Sequence, residues 1–400
     1  MKTLPLFIAA LGLAFTGILA PTVYSQGALT PPPGPPAPTM KTLDQIEPRT
    51  IVNAANTPGD ATNTFIISAP GSYYFAGNIT GEAGKHGISI RADDVTLDLN
   101  GFALVSGGGA GLRGVEAPSA QKNLTLRNGT VRGWAGGGAR LETTRAVFAE
   151  KLRLSDNTGA IGLYVGLGAL IKDCVANANE TGIRTPDRCQ VMNCISTENT
   201  GIGFEGGSFV TLLDCTASRN GTTGIVTQGA ASLIRCSSTR NGESGPGGAF
   251  GLNCGISTGA NSTVADCTIN NNTSDGLRIG AGSTVRGCTV SGNGLGGIQV
   301  SEKCLVTGNA CDGNGTSGVG SGITANGNFN RIDGNQSTAN VARGFFLING
   351  STGNVLIRNT ASGQGANNYD NLGTNAIGPI VNTAAGGTIS STSPWANFSY

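Results

Sequence analysis

The chain has very little of what most catalytic centres are built from. It holds one His and three Met among 400 residues, and only 12% of its residues are charged. A single imidazole excludes a histidine-rich metal site, and so few Met exclude copper handling. Aromatic residues are 5% of the chain, which leaves few rings for stacking on sugars. With a net charge of +1, nothing draws the chain electrostatically to nucleic acid or to an anionic membrane. Past the first 25 residues no apolar run is long enough for a membrane span. No Cys precedes position 174, which excludes a lipid-anchored mature N-terminus, and the paired C-x-x-C spacing of a thiolate metal site is missing. No cofactor and no metal are expected.

What the chain does have is a period. Between Cys267 and Val300 one phrase occurs twice: Cys267, Asn272 and Gly276-Leu277, then Cys288, Asn293 and Gly297-Ile298. The Cys mark also stands at 174, 194, 215 and 236. Asn takes the mark at 309, 335 and 359, and upstream at 100 and 128, with Ser155 as a weaker match. Repeats of about 21 residues identify a stacked architecture. Five residues after the marks an Asn returns, from Asn179 to Asn340, with Gln364 last. The residue three before each mark is aliphatic from Ile171 to Leu356. Gly and Asn every few residues forbid long helices, whereas short β-branched runs between such turns are strands. One period therefore holds three short strands and three turns. Its aliphatic residues have no core of their own and must be buried against the coils above and below. About twelve coils, ~4.8 Å apart, give a rod of roughly 55–60 Å.

The repeated V-x-x-C/N-x-x-x-x-N…G-I phrase resembles the right-handed parallel β-helix repeat proteins of the pectin-lyase-like fold. The opening APGSYYFAGNITGEAGKHGISIRADDVTLDLNGFAL is similar to the first coils of exported bacterial members. The resemblance spans residues 66–370. It implies an all-β chain, a single-stranded right-handed parallel β-helix with both ends capped. It does not imply one activity, because the scaffold carries many. Lyases of this fold use acidic calcium ligands with a basic Arg or Lys. Hydrolases use clustered Asp with Gly-His-Gly, and uronan epimerases use Asp-Pro-His-Asp. None of these sets is present, and Asp93-Asp94 alone is a common turn element.

The rest of the chain divides around the rod. Residues 1–25, with Lys2 and the apolar run Leu4–Ala20, read as a secretory signal peptide, which places the protein outside the cell or in its envelope. Residues 26–39 are a Pro-rich extended spacer. Residues 40–65, with Leu43 and Ile46 before Pro48, read as a cap over the open first coil, and 371–400, with Trp395 and Phe398, as a cap over the last. Two insertions, GESGPGGAFGLNC after Asn241 and GTSGVGS after Asn314, leave at the same turn and are expected to project on one side. The six column cysteines, together with Cys189 and Cys304, are expected to point inward as unpaired thiols acting as small hydrophobes.

Candidate chemistry falls on two places. The residues just before the marks read Asp173, Asn193, Asp214, Arg235, Asp266 and Gly287. Strand alternation would point them outward, with alternate coils ~9–10 Å apart. Side-chain rotation would then bring Asp173, Asp214 and Asp266 toward the ~6.5–9.5 Å separation of an inverting glycosidase pair, with Arg235 binding a sugar acid. The plainer reading of the same strip is a charged face that keeps sheets soluble and apart. Lys85 and His86 in the first coil are candidate substrate contacts, or simply polar turn residues. Two functional readings therefore stay open: a secreted or envelope β-helix that binds polysaccharide or serves structure, and an enzyme processing an acidic glycan.

Overall fold

Each period of the sequence closes into one coil. The computed structural model describes residues 47–243, 253–383 and 389–400. Three strands and three corners make a coil: Phe204–Gly206, Thr211–Leu213 and Thr216–Ser218 are followed one turn later by Ile225–Thr227, Ser232–Ile234 and Ser237–Thr239. Equivalent residues pair in parallel, with Phe204 on Ile225, Leu212 on Leu233 and Ala217 on Ser238. One strand per coil forms a 14-stranded sheet, and the other two form a 28-stranded sheet bent along its length. No helix occurs among the described residues. Two coils more than the expected twelve are present. Asn63–Ile67 at the start and Asn367–Asn371 at the end keep the pairing after the marks are lost.

The corners explain the period. Asp173, Asn193, Asp214, Arg235 and Asp266 all sit in the left-handed region, with φ between 51° and 56°. Arg188, Phe209, Ala230 and Asn261 form a second left-handed column, and Glu198, Arg219, Arg240 and Asn271 a third. A non-glycine residue there costs roughly 1–2 kcal/mol, least for Asn and Asp. The corners therefore hold only because packing inside the coil fixes them. A left-handed residue also resets the alternation of a strand. Ile171 and Cys174, three residues apart, are both fully buried, which period-two alternation does not allow.

This corner corrects three marks. In register, Leu152 lies opposite Gly129, and Arg153 opposite Val175, so the counterpart of Cys174 is Leu152 and not Ser155. Asn128 is itself a left-handed corner residue, one position before Gly129, and Asn100 shares a longer left-handed corner with Gly101. Asn was misleading because it is favoured both at such corners and inside the coil.

Inside, the mark and the Asn five residues later form two ladders. In the first, each side-chain amide bonds to the next coil: Asn199 Nδ2 donates to Asn220 Oδ1 at 2.9 Å, and Asn220 Nδ2 to Asn241 Oδ1 at 2.9 Å. Each Oδ1 also accepts the backbone N–H of the Asn before it. The ladder begins where Trp134 N–H donates to Asn157 and ends at Gln364. It leaves no room for a side chain on the strand alongside: a Cβ on Gly203 would lie 2.5 Å from Gly224 O and 2.6 Å from Asn220 Nδ2. In the second ladder Cys and Asn exchange one role. Cys194 Sγ accepts from Cys174 N–H at 3.4 Å, while Cys288 N–H donates to Asn309 Oδ1 at 2.9 Å. From there Asn335, Asn359 and Asn397 continue the column into the C-terminal segment. All ten cysteines are buried and free, as the repeat predicts for the six in the column and for Cys189 and Cys304.

At the N-terminal end an antiparallel bridge joins Pro58 to Phe65 in Asn63–Ile67, the first strand of the 14-stranded sheet. At the other end Asn397–Ser399 pairs with Thr360–Ser362, and Tyr369 stacks on Phe345 at 5.2 Å while its hydroxyl donates to Phe398 O. Trp395 is half exposed, 5.7 Å below the Arg358 guanidinium. The signal-peptide and spacer readings, and the cap as far as Ile46, lie outside the described residues.

Candidate functional site

The strip of residues before the marks faces solvent, but for a different reason from the one the sequence suggests. These side chains leave the rod because each is the left-handed corner between two strands, not because a strand alternates. Asp214 and Arg235 meet in a two-pronged pair, Nε to Oδ1 at 2.7 Å and Nη2 to Oδ2 at 2.8 Å. The Arg235 guanidinium holds the Asp214 carboxyl below the usual carboxylate range. Asp173 accepts from Asn193 Nδ2 at 2.6 Å and lies 3.8 Å from Lys172 Nζ. Asp266 Oδ1 rests over Gly287, where an added Cβ would meet it at 2.5 Å. In an acid–base pair one carboxyl keeps its proton and the other stays ionised, and the downward shift of Asp214 suits only the ionised role. The strip presents fixed charge and hydrogen-bond acceptors.

Lys85 and His86 belong elsewhere. His86 opens the strand His86–Ile90 of the 14-stranded sheet; its Nδ1 accepts Arg113 N–H at 3.0 Å and lies 3.9 Å from Glu116 Oε2. Lys85 pairs with Glu82 at 2.6 Å. The structure therefore brings His86 toward Glu116 and separates both residues from the Asp strip, which lies on the other sheet.

That neighbourhood contains a column that period reading missed. Glu116, Arg140, Tyr164, Arg184 and Glu205 are successive register partners on the outward side of the 14-stranded sheet. Both Arg140 and Arg184 lie 5.5 Å from the centre of the Tyr164 ring. Arg184 Nε donates to Glu205 Oε2 at 2.6 Å, and Arg140 Nη2 to Glu142 Oε1 at 2.8 Å. Tyr164, Arg184, Asp187, Glu205 and Gln228 line a concavity of about 280 Å³ beside it. Further along the sheet, Thr258, Arg278, Gln299 and Asn326 line a second one of about 200 Å³. The signal was in the sequence: each column residue directly follows a Gly-apolar pair, as in Gly162-Leu163-Tyr164 and Gly182-Ile183-Arg184.

Of the two insertions, the one after Asn241 falls mostly outside the described residues. The one after Asn314 leaves just before Ile323–Ala325, at the edge of this same sheet, with Val319 exposed. Among the described residues no group of three His, Cys, Asp or Glu is placed to hold a metal ion, and no helix is long and apolar enough to cross a membrane.

Residues 200–361 match the family model described as a right handed beta helix region. The chain is a right-handed parallel β-helix. The coils on either side of the matched segment continue its pairing without a break in the order of the 14-stranded sheet. Solved structures similar to this β-helix include the A-module of the Azotobacter vinelandii mannuronan C-5 epimerase AlgE6. It is 14% identical, with 83% of this chain and 91% of that one covered and a TM-score of 0.49. The periplasmic alginate epimerase AlgG is 11% identical over 81% of this chain and 80% of that one, with a TM-score of 0.44. PfbA, a surface adhesin of Streptococcus pneumoniae, is 8% identical over 77% of this chain and 84% of that one, with a TM-score of 0.35. No curated protein matches the sequence.

Proposed function

We propose that this β-helix is an exported, envelope or secreted protein that binds an acidic polysaccharide along the outward face of its 14-stranded sheet. The observation that carries the reading is the column Arg140–Tyr164–Arg184–Glu205 beside a sugar-sized concavity. Guanidinium groups suit carboxylates through paired N–H donors, and a Tyr ring offers an apolar face with a polar tip. Coils ~4.8 Å apart repeat such contacts along the rod axis, so a linear polymer lying on the column meets one rung after another. His86 and Lys85 would extend the face toward the first coil. Export follows from the signal-peptide pattern of residues 1–25.

A glycan screen read for both binding and product release tests this, followed by the same measurement on Arg184→Gln and Tyr164→Ala. The expected result is binding to a uronate-containing glycan without release of product. Each substitution should weaken it about tenfold or more, the scale of one charge-assisted contact. Binding that survives both substitutions removes this face.

Turnover of an acidic glycan by Asp173, Asp214 and Asp266, with Arg235 holding a sugar acid, is the second reading. It is favoured by their alignment on one corner column. Product release that disappears in Asp214→Asn, with melting unchanged, would establish it in place of the first.

A further inference from the structure

We infer that a groove on the corner of the first third of the rod is an anion site for a carboxylate-bearing sugar unit, separate from the 14-stranded face. The groove has a volume of about 450 Å³ and crosses four coils, from Gly101 through Asn128 and Thr130 to Lys151, Arg153 and Asp173. Its floor is low where Gly101 and Gly129 carry no side chain, and Lys151 and Arg153 stand along it, both exposed.

Several cations on nearby coils are paired within the chain. Arg127 is paired with Asp98 at 3.1 Å, Lys172 with Asp173 at 3.8 Å and Arg235 with Asp214 at 2.7 Å. Among the described residues neither Lys151 nor Arg153 has an ion pair or side-chain hydrogen bond. Arg132, whose register partner is Ser155, stands diagonal to Arg153 and is likewise without one. Three like charges gathered on two adjacent strands repel one another, and the one carboxylate among the groove's lining residues, Asp173, is already engaged by Asn193 and Lys172. Lys151 occupies a left-handed corner, φ 52°, as Arg235 and Arg240 do on later coils. Two exposed cations with a third beside them, above a hollow, fit an external anion.

The remaining groups indicate which anion. Asn128 and Thr130 can bond hydroxyls, and the Asp173 carboxylate at the rim accepts hydrogen bonds while repelling a dianion. A sugar acid supplies one carboxylate and several hydroxyl donors; inorganic phosphate, partly a dianion at neutral pH, brings more charge and at most two hydroxyls.

Calorimetric titration of the full chain tests the site with three probes: a short oligogalacturonate, its carboxyl-reduced neutral counterpart, and inorganic phosphate. Wild type should take up the oligogalacturonate at the corner, more weakly as salt rises, and bind neither other probe comparably. The Lys151→Gln/Arg153→Gln double variant should lose that component by about tenfold or more while melting as wild type does. Arg184→Gln should leave it in place. Loss in Arg184→Gln alone overturns the corner site and leaves the sheet face standing, whereas loss in the double variant alone does the reverse. Equal binding of the neutral probe or of phosphate, or no binding at all, overturns the inference. If the double variant melts early, Lys151→Gly, which suits the left-handed corner, replaces it in the same titration.

Discussion

Replacing Asn220 by Ala should destabilise the rod far more than the loss of one polar side chain suggests. Asn220 is fully buried and takes part in four side-chain hydrogen bonds. Its Oδ1 accepts from the backbone N–H of Asn199 and from Asn199 Nδ2; its own Nδ2 donates to Ser196 O and to Asn241 Oδ1. The neighbours are not equally harmed. Asn199 Nδ2 keeps Ser196 Oγ at 3.0 Å, and Asn241 Oδ1 still receives the backbone N–H of residue 220 at 3.0 Å. The Asn199 backbone N–H and one lone pair of Ser196 O are left in a dry interior with nothing to bond. At roughly 1–3 kcal/mol per unsatisfied buried group, the loss comes to about 3–5 kcal/mol. Nearest-neighbour stacking concentrates the effect in the coils on either side. Denaturant unfolding followed by circular dichroism gives the total, and amide exchange locates it: protection should fall first around Asn199 and Asn241. A change below ~1 kcal/mol, or loss of protection spread evenly along the rod, would refute the ladder as a stabilising element.

Val285→Asp places a charge in the aliphatic column between Val264 and Val306 and should cost several kcal/mol, read as a large drop in melting temperature. Alkylation of the denatured protein without reductant, followed by mass measurement, should count ten free thiols, and the native protein should react slowly at all of them; five bridges would overturn the stacking. A hydrogen bond to the neighbouring thiol, and then burial, push Cys236 and Cys267 up to about 12 from a reference of 9.0. A folded pKa raised above the unfolded one gives stability that is complete below pH 9.0 and lost as pH rises toward about 12. The unfolding midpoint should therefore fall across that window, and less so when both residues are Ala.

The sequence by itself determined that this chain is a stack of three-strand coils. Gly ahead of most strands of the 14-stranded sheet, Asn five residues past most marks and an aliphatic residue three before them are local demands, each visible one period at a time. It also determined that the column cysteines are buried thiols, because Cys and Asn share one inward position. Even the corner strip was legible as exposed, although its cause was not: a left-handed φ appears in no spacing, and it is what allows Ile171 and Cys174 both to face inward. Only the tertiary structure decided which side chains meet across coils. Turns absorb insertions without disturbing the strands, so a fixed count fails upstream, where Leu152 rather than Ser155 aligns with Cys174. The same slack concealed the column that runs from Glu116 to Glu205, since its members vary among Glu, Arg and Tyr and only the backbone pairing sets them side by side. The grouping of Lys151, Arg153 and Arg132 was hidden likewise. Charge at a corner carries no period, because the solvent side of a β-helix is free to vary while its interior must repeat.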